Sequence, residues 1–321
     1  MTLLNNVFYI LIFVSAMGGL FTLLSLFAGC VLKLSVPLWF SICGMVLYAL
    51  PLLSPDVTLF SPEEQIWQPG FYGVRTVWAL GILLLLAGKF LRTVLAHQSL
   101  RRCRPCPDPA LLGLCSRCAL TLGITKLPAL YYGTLKQPAC ATGVFRPAII
   151  LNEAVEKELT EDQLTAVLSH ELLHLRQHHL LWERIYDFVL ILNWINPLAW
   201  IARKEFSLRC EMDCDRRVLA AWAGRISPGA YARAMLRLME LTSPCSPDSG
   251  EAAGALRFLL AKRRIRAILH KPSRRKIWLS GIGLSLLLAL ILFLSLGFSR
   301  QHFYPYPAYR SGSEYTAAAK G

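Results

Sequence analysis

The residues with the clearest chemical potential are His170, Glu171 and His174, which stand in the order His-Glu-Leu-Leu-His over residues 170–174. On an α-helix, side chains four positions apart lie on one face, so both histidines can bind one metal ion. Glu171 is rotated by one position and can reach a water on the metal instead of the metal itself. Five residues can match such a pattern by chance, and the alternative is a surface helix with two histidines.

The chemistry that this pattern predicts is zinc-dependent peptide hydrolysis. Zn²⁺ lowers the pKa of a bound water to about 7. Glu171 would act as the general base for this water as it attacks a peptide carbonyl, and would then pass the proton to the leaving amine. The sequence therefore predicts a zinc endopeptidase with Glu171 as its catalytic residue and Zn²⁺ as its cofactor.

A catalytic zinc needs a third protein ligand, and the segment Glu-Met-Asp-Cys-Asp at residues 211–215 offers one. We expect Glu211 to be this ligand. Asp215 lies one helical turn further on and would accept a hydrogen bond from a ligand histidine, which fixes the orientation of its ring. Tyr231 is a weaker candidate, as a hydrogen-bond donor to the oxyanion of the transition state, because a tyrosine packed within a helix is commoner.

The helix that carries the two histidines is predicted to begin at Thr160. Thr160 and Gln163 form a T-x-x-Q capping box, and the two acidic residues between them favour the positive end of the helix dipole. Apolar residues recur downstream at helical spacing. Two further histidines, His178 and His179, are expected at the end of this helix, beyond the metal ligands.

Apolar residues are concentrated in blocks, and 55% of the 321 residues are hydrophobic. A helix needs about 20 apolar residues to cross a membrane. The first block lacks a basic amino-terminal region and a cleavage site, so we interpret it as a retained span and not as a signal peptide. The fold class predicted is an α-helical integral membrane protein with four spans, at residues 7–32, 36–53, 77–96 and 277–298.

The net charge of +14 is placed unevenly around these spans. Segment 92–104 is basic, segment 257–276 carries nine Lys or Arg and no acid, and the loop at 54–76 is acidic. Basic flanks stay in the cytoplasm. We therefore expect a multi-pass protein of the bacterial cell membrane, with residues 97–276 cytoplasmic and a short, disordered extracytoplasmic tail at 299–321. The basic run predicts contact with anionic membrane lipid and no direct contact with nucleic acid.

The cytoplasmic region has a normal length for one domain, which we predict to be an α+β protease domain. The runs 129–132 and 144–151 predict a small sheet. Segment 188–202 is apolar but short, and a single crossing there would place Glu211 and His170 on opposite sides of the membrane. Because one metal must contact both, we interpret this segment as an interfacial or re-entrant helix.

Four cysteines, Cys103, Cys106, Cys115 and Cys118, follow the pattern C-x2-C-x8-C-x2-C, which suggests structural zinc. The central spacing is shorter than in the usual zinc ribbon, and residues 108–123 are predicted to be helical. Reduced thiols buried in a cytoplasmic core are the preferred interpretation, and a second metal site is left open.

Together these features resemble the BlaR/MecR family of antibiotic-sensing, antirepressor membrane metallopeptidases, over nearly the whole chain up to about residue 298. The resemblance rests on the three amino-terminal spans, Gly-Val-Phe-Arg-Pro at 143–147, His-Glu-Leu-Leu-His, Asn-Trp-Ile-Asn-Pro at 193–197, Glu211-x-x-Cys-Asp215, Tyr231 and Arg263-Arg-Ile265.

The resemblance implies a gluzincin-type domain whose metal ligands match His170, His174 and Glu211, with Glu171 as base. It also implies self-cleavage before the last span and relief of a partner repressor, such as a winged-helix transcriptional repressor. Two features depart from the family. An acid commonly stands where this chain has His179, and the β-lactam-sensing members carry an extracellular penicillin-binding domain where only a short tail follows here.

We therefore expect a membrane-embedded zinc endopeptidase in signal transduction that cleaves itself or a cytoplasmic repressor-like protein, with segment 257–276 as the natural site of self-cleavage. A housekeeping HtpX-like membrane protease shares the zinc motif but needs more spans around the site. A non-catalytic signalling scaffold is the alternative outside the enzymes, and a transporter would need paired discontinuous spans. Homodimer formation, the stimulus and the physiological substrate are left open.

Overall fold

Three apolar helices open the chain: α1 (Gly18–Gly29), α2 (Leu38–Ala49) and α3 (Gly70–Arg101). The computed structural model describes residues 15, 18–29, 36–49, 70–133, 139–242, 251–269, 279, 282, 283, 285, 286 and 290. Within these ranges, one segment, Thr76–Gln98 of α3, is helical, long and apolar enough to cross a membrane, with a mean hydropathy of 1.9. Its large side chains are exposed, with Leu84 and Phe90 each at 73%.

This segment coincides with the third predicted span. The first, second and fourth predicted spans extend into residues outside the described ranges, and so does most of the acidic loop at 54–76. The tail at 299–321 lies wholly outside them. These three spans, the loop and the tail therefore remain predictions.

A four-stranded sheet follows α3, with the order β1-β2-β4-β3. Strand β2 pairs with β4 in parallel, whereas β3 pairs with β4 antiparallel and lies at the edge of the described sheet. Both runs that predicted strands contain one, and β1 and β3 were not predicted. The strands are β1 (Arg104–Pro105), β2 (Ala129–Tyr132), β3 (Ala139–Thr142) and β4 (Ala148–Leu151).

Helices α4 (Pro109–Thr121) and α6 (Glu161–Arg176) pack against each other, and α6 also packs against β3. The short α5 (Glu153–Glu156) lies between β4 and α6, and its Glu156 accepts a hydrogen bond from the hydroxyl of Tyr132 in β2. The capping box at the start of α6 is confirmed. The Thr160 side chain accepts a hydrogen bond from the backbone N–H of Gln163, and the Gln163 side chain accepts one from the backbone N–H of Thr160. Leu168 and Leu172 face the core with no exposed surface. The cap fixes where α6 begins and its buried face fixes its rotation, so together they determine where its histidines point.

Helices α7 (His179–Leu192) and α8 (Pro197–Ala221) form an antiparallel hairpin. Across it, Asp187 accepts a hydrogen bond from Arg203 at 2.8 Å, and Glu183 accepts one from Ser207 at 2.9 Å. Segment 188–202, predicted as an interfacial or re-entrant helix, is divided between the end of α7 and the start of α8, and its relation to a membrane stays a prediction. The chain turns there because Asn196 caps a new helix that starts with proline. This turn brings α8 back against α6, so His170 of α6 and Glu211 of α8 can contact the same metal ion.

The turn of this hairpin is held against α3 through backbone carbonyls. The indole of Trp78 donates to the carbonyl of Leu192 at 3.1 Å, and the indole of Trp194 donates to the carbonyl of Trp78 at 3.2 Å. Nearer the other end of the hairpin, Lys89 of α3 pairs with Asp187. The hairpin therefore lies along α3 from Trp78 to Lys89.

Helices α9 (Pro228–Thr242) and α10 (Glu251–Leu269) complete the described fold. They pack against each other, and α10 also packs against α8. The main core lies between these helices, α4, α6 and the sheet, with Val218 and Tyr231 fully buried. Residues far apart along the chain thereby meet at the histidine face of α6.

Candidate metal centre

Three side chains converge where α6 faces α8. The Nε2 atoms of His170 and His174 are 3.1 Å apart. One carboxylate oxygen of Glu211 lies 3.2 Å from His170 Nε2, and the other lies 3.3 Å from His174 Nε2. The fold therefore brings the three proposed ligands together, although forty-one positions separate Glu211 from His170.

These distances fit a tetrahedral zinc ion. With zinc–ligand bonds of about 2.0–2.1 Å, neighbouring donor atoms of a tetrahedron are about 3.3 Å apart, close to the three values here. The exposed fraction of the side chain rises from 6% at His170 to 12% at His174 and 32% at Glu211. The cluster is thus most enclosed at His170 and least enclosed at Glu211, which we take as its open side.

Glu171 follows His170 on α6, and its side chain reaches the sheet. Its carboxylate is not part of the ligand cluster and accepts a hydrogen bond of 2.6 Å from the backbone N–H of Ala141 in β3. Because Ala141 belongs to β3, this bond fixes the carboxylate at the edge of the described sheet. Sequence reasoning placed Glu171 correctly on the helix but gave no indication of its partner in β3.

Asp215 lies behind His170, on the side away from the opening. Its carboxylate oxygen is 3.1 Å from His170 Nδ1, and the residue is 2% exposed. It also accepts a hydrogen bond of 2.7 Å from the hydroxyl of Tyr231. This geometry suits the proposed role of Asp215, which is to hold His170 by Nδ1 and leave Nε2 free for a metal.

Tyr231 is fully buried, and its hydroxyl faces Asp215 and His170 Nδ1, at 2.7 and 3.2 Å. It does not point into the open side of the cluster, so the geometry argues against the proposed hydrogen bond to an oxyanion. The alternative considered from the sequence, a tyrosine packed within the fold, describes it better. Its hydroxyl completes the hydrogen bonding of Asp215.

Arg264 of α10 is a site residue that sequence reasoning missed. Its guanidinium binds Asp215 through Nε at 2.5 Å and Nη2 at 2.8 Å, and Nη1 lies 2.7 Å from Glu211. With His170 protonated and these three groups charged, the metal-free cluster is electrically neutral. In the sequence Arg264 is one of nine basic residues in a run assigned to membrane topology, and the resemblance that named Arg263-Arg-Ile265 gave this element no role in the site.

Zinc uptake by the metal-free protein is expected to depend on pH through His170. Burial opposes protonation of its ring, but the hydrogen bonds to Asp215 and Glu211 outweigh burial and raise the pKa of His170 from 6.5 to about 9. Zinc must displace this proton, so its apparent affinity should rise about tenfold per pH unit up to about pH 9 and then level off. Competition with a chelator measures the affinity, and a flat profile below pH 9 would contradict this expectation.

The same proton affects the stability of the metal-free fold. Because the folded pKa is raised, the contribution to the free energy of unfolding is complete below the unfolded value of 6.5 and is lost as the pH rises through about 9. The metal-free protein should therefore lose stability over the range in which its zinc affinity increases. Thermal unfolding of chelator-treated protein measures this loss.

His179 lies beyond the ligand cluster, as expected, yet it contacts one ligand. Its Nδ1 is 3.3 Å from Nδ1 of His174 and 3.4 Å from the thiol of Cys214. Burial lowers the pKa of His179 to about 4, with the nearby His174 acting in the same direction. The ring is therefore neutral at physiological pH.

The four cysteines of the C-x2-C pattern do not form a metal site among the described residues, where the groups able to hold an ion are those around His170 and His174. Cys106, Cys115 and Cys118 are buried in the main core. Burial raises the pKa of Cys115 to about 11, so this thiol stays protonated at physiological pH. The geometry agrees with the preferred interpretation of buried reduced thiols.

Comparison with known proteins bears on this site. A family model described as BlaR1 peptidase M56 matches residues 61–268. The chain is similar to the "Regulatory protein BlaR1" of Bacillus licheniformis, with 27% identity over 194 residues, covering 60% of this chain and 32% of that protein. It is also similar to the "Methicillin resistance mecR1 protein" of Staphylococcus aureus and of Staphylococcus epidermidis, with 29% identity over 77 residues, covering 24% of this chain and 13% of each relative.

The chain thus spans about a third of the length of the BlaR1 relative. The range matched by the family model, 61–268, contains α6, α8 and Arg264 of α10, and so every residue of the cluster described above.

Proposed function

Since the chain belongs to the BlaR1 peptidase M56 family, we propose that it is a membrane-bound zinc endopeptidase that transmits a signal by cleaving itself or a cytoplasmic repressor-like protein. The observation that carries this proposal is the meeting of His170, His174 and Glu211 at tetrahedral distances, with Glu171 next to His170 on the same helix.

The chain's own residues divide the work between binding and proton transfer. His170, His174 and Glu211 would hold Zn²⁺, and the metal would polarise the scissile carbonyl and activate water. Glu171 would accept the proton of the attacking water and deliver it to the leaving nitrogen. Asp215 keeps the ring of His170 in place from behind.

The edge strand β3 supports a peptide as substrate. In its antiparallel pairing with β4, Ala141 lies opposite Ile149, and the N–H of Ala141 points away from β4 to Glu171. An extended peptide that added to this free edge by backbone hydrogen bonding would pass beside Glu171. The same edge would thus orient the substrate and bring its carbonyl to the metal.

Contacts made by α10 support self-cleavage as one outcome. This helix contains most of the basic run 257–276 and brings Arg264 to the ligand Glu211. A peptide bond in a helix cannot take the extended form that an edge strand binds. Cleavage within this segment would therefore require α10 to open locally, which makes its stability a natural control point.

Helix α8 offers a route from the membrane helices to the metal centre. Arg209 is buried and donates to Ser41 of α2 at 2.5 Å and to Ser25 of α1 at 2.9 Å. One turn earlier, Glu205 binds Arg263 of α10. A displacement of α1 or α2 would reach both the helix that carries Glu211 and the helix that carries Arg264.

The location and partners proposed follow from the charge pattern. The basic flanks of the apolar segments favour a cytoplasmic protease domain in a multi-pass bacterial membrane protein. The basic run 257–276 would contact anionic lipid headgroups. A winged-helix repressor remains the proposed soluble substrate, and assembly into a homodimer remains open.

Zinc content and self-cleavage of the full chain test this function. Wild type purified from membranes in detergent should contain about one zinc per chain and should yield a cleavage product on incubation. His170→Ala should lose the metal and stay intact. His97→Ala removes an exposed histidine of α3 and is the matched control, which should behave as wild type. Metal-free wild type would refute the enzyme and favour a signalling scaffold.

A further inference from the structure

We propose that His179 is a positioning residue of the metal centre: its Nδ1 accepts a hydrogen bond from Nδ1–H of His174 and holds that ring with Nε2 toward the metal. The contact is direct, with 3.3 Å between the two nitrogens and the ring planes nearly perpendicular at a centroid distance of 5.1 Å. This inference rests on the proposed function, because it concerns the same zinc site.

The position of His174 determines which ring is the donor. Its Nε2 faces His170 Nε2 at 3.1 Å and Glu211 at 3.3 Å, so Nε2 is the atom that a metal in this cluster would bind. A neutral imidazole that binds a metal through one nitrogen carries its proton on the other. Nδ1 of His174 is therefore the donor, and Nδ1 of His179 must be the acceptor.

The tautomer that this leaves on His179 agrees with its surroundings. If Nδ1 accepts, Nε2 carries the hydrogen. His179 Nε2 is buried and has no hydrogen-bond partner among the described residues. The residue borders a cavity of about 1220 Å³ that Gln177, Asp213 and Arg264 also line. Its lining is mostly apolar, but these polar residues form part of it, and the space is large enough for water to satisfy the N–H.

The backbone conformation of His178 places the ring of His179 against His174. His178 has a φ of 53°, in the left-handed region that residues other than glycine rarely adopt. It is one of the two residues between the end of α6 and the start of α7, and it turns the chain so that His179 folds back on His174, where His179 is 2% exposed. Backbone strain of this kind persists where the surrounding structure requires it.

The thiol of Cys214 lies 3.4 Å from the same nitrogen of His179, which raises the alternative of a second metal ion held by His174, His179 and Cys214. Such an ion would require the ring of His174 to bridge two cations through both nitrogens. Two cations sharing one deprotonated ring in a buried cluster would repel each other at short range. The hydrogen bond makes no such demand, and we therefore favour it.

Zinc affinity of the purified full-length protein, measured by chelator competition, tests the proposal. His179→Leu removes the acceptor at similar volume and should weaken zinc binding about 10- to 100-fold. His179→Asp supplies a carboxylate acceptor and should restore the affinity to within about tenfold of wild type. Cys214→Ala is the matched control on the other side of His179 and should bind zinc as wild type does. If His179 had a purely structural role, its variants would have a lower unfolding temperature in the metal-free form. Their zinc affinities would then not follow the order wild type, His179→Asp, His179→Leu.

Several outcomes would overturn the proposal. Equal zinc affinity for wild type and His179→Leu would refute the positioning role and leave the zinc protease intact. If His179→Leu does not fold, His179→Asp decides alone, since an affinity more than about tenfold below wild type would count against an acceptor at this position. Two metals per wild-type chain, with a thiolate-to-cobalt absorption band after cobalt substitution, would establish the bridged site instead. A wild type that binds no zinc would refute both this inference and the proposed function.

Discussion

A Glu171→Gln variant is expected to bind zinc as wild type does and to cleave its substrate about 10²- to 10⁴-fold more slowly. Glutamine has the same shape, and its carbonyl oxygen can still accept the hydrogen bond from Ala141 N–H. It cannot accept the proton of the attacking water. The loss should therefore appear in the rate and leave the metal content and the unfolding temperature unchanged.

Initial rates of self-cleavage in purified full-length protein, with zinc content measured on the same samples, provide this comparison. Glu158→Gln is the matched control, because Glu158 is exposed and pairs with Arg237 outside the metal centre. It should cleave at the wild-type rate. Equal rates for Glu171→Gln and wild type would remove Glu171 from the mechanism and leave the ligand assignment standing.

An Asp215→Ala variant is expected to lose about 3–5 kcal/mol of stability, because it removes one partner of a buried ion pair and leaves Arg264 with its contact to Glu211. Asp215 and Arg264 have side chains that are 2% and 14% exposed, and two hydrogen bonds of 2.5 and 2.8 Å join them. The hydroxyl of Tyr231 would lose its acceptor as well. Zinc affinity should also fall about 10- to 100-fold, since His170 would lose its support.

Unfolding in detergent, followed with and without zinc, separates these two losses. Asp213→Ala is the matched control on the same helix, because Asp213 pairs with Arg216 and Arg217, whose side chains are 43% and 48% exposed. It should cost about 1 kcal/mol or less. The double variant Asp215→Ala/Arg264→Met should recover part of the stability, and a double variant as unstable as the single one would contradict the buried-pair explanation.

The sequence predicted the parts of the site that depend on local patterns. The start of α6 could be predicted because a capping box is a contact between residues three positions apart. The histidine face followed from helical periodicity, and Glu211 followed from the requirement for a third ligand. These inferences needed no knowledge of how the helices pack.

The rest of the site depends on contacts between distant segments. Arg264 lies forty-nine positions from Asp215, and its basic neighbours conceal it in the sequence. Strand β3 reads Ala-Cys-Ala-Thr, which has little intrinsic strand preference, and it forms because it pairs with the apolar β4. The contact between His179 and His174 depends on one left-handed residue between two helices, for which the histidine at position 178 gives no signal.

The hairpin of α7 and α8 fixes the distance between Glu211 and the turn that contacts α3. Its turn is hydrogen-bonded to the indole and the carbonyl of Trp78 in α3, and Asn193 adds a hydrogen bond to the carbonyl of Tyr48 in α2. From Pro197, Glu211 is fourteen positions along α8, or about 21 Å at 1.5 Å per residue. With α3 across the bilayer, the ligand cluster would lie at a constant height relative to the lipid. We expect the distance of a peptide bond from the membrane surface to decide whether it is cleaved more strongly than the residues on either side of it.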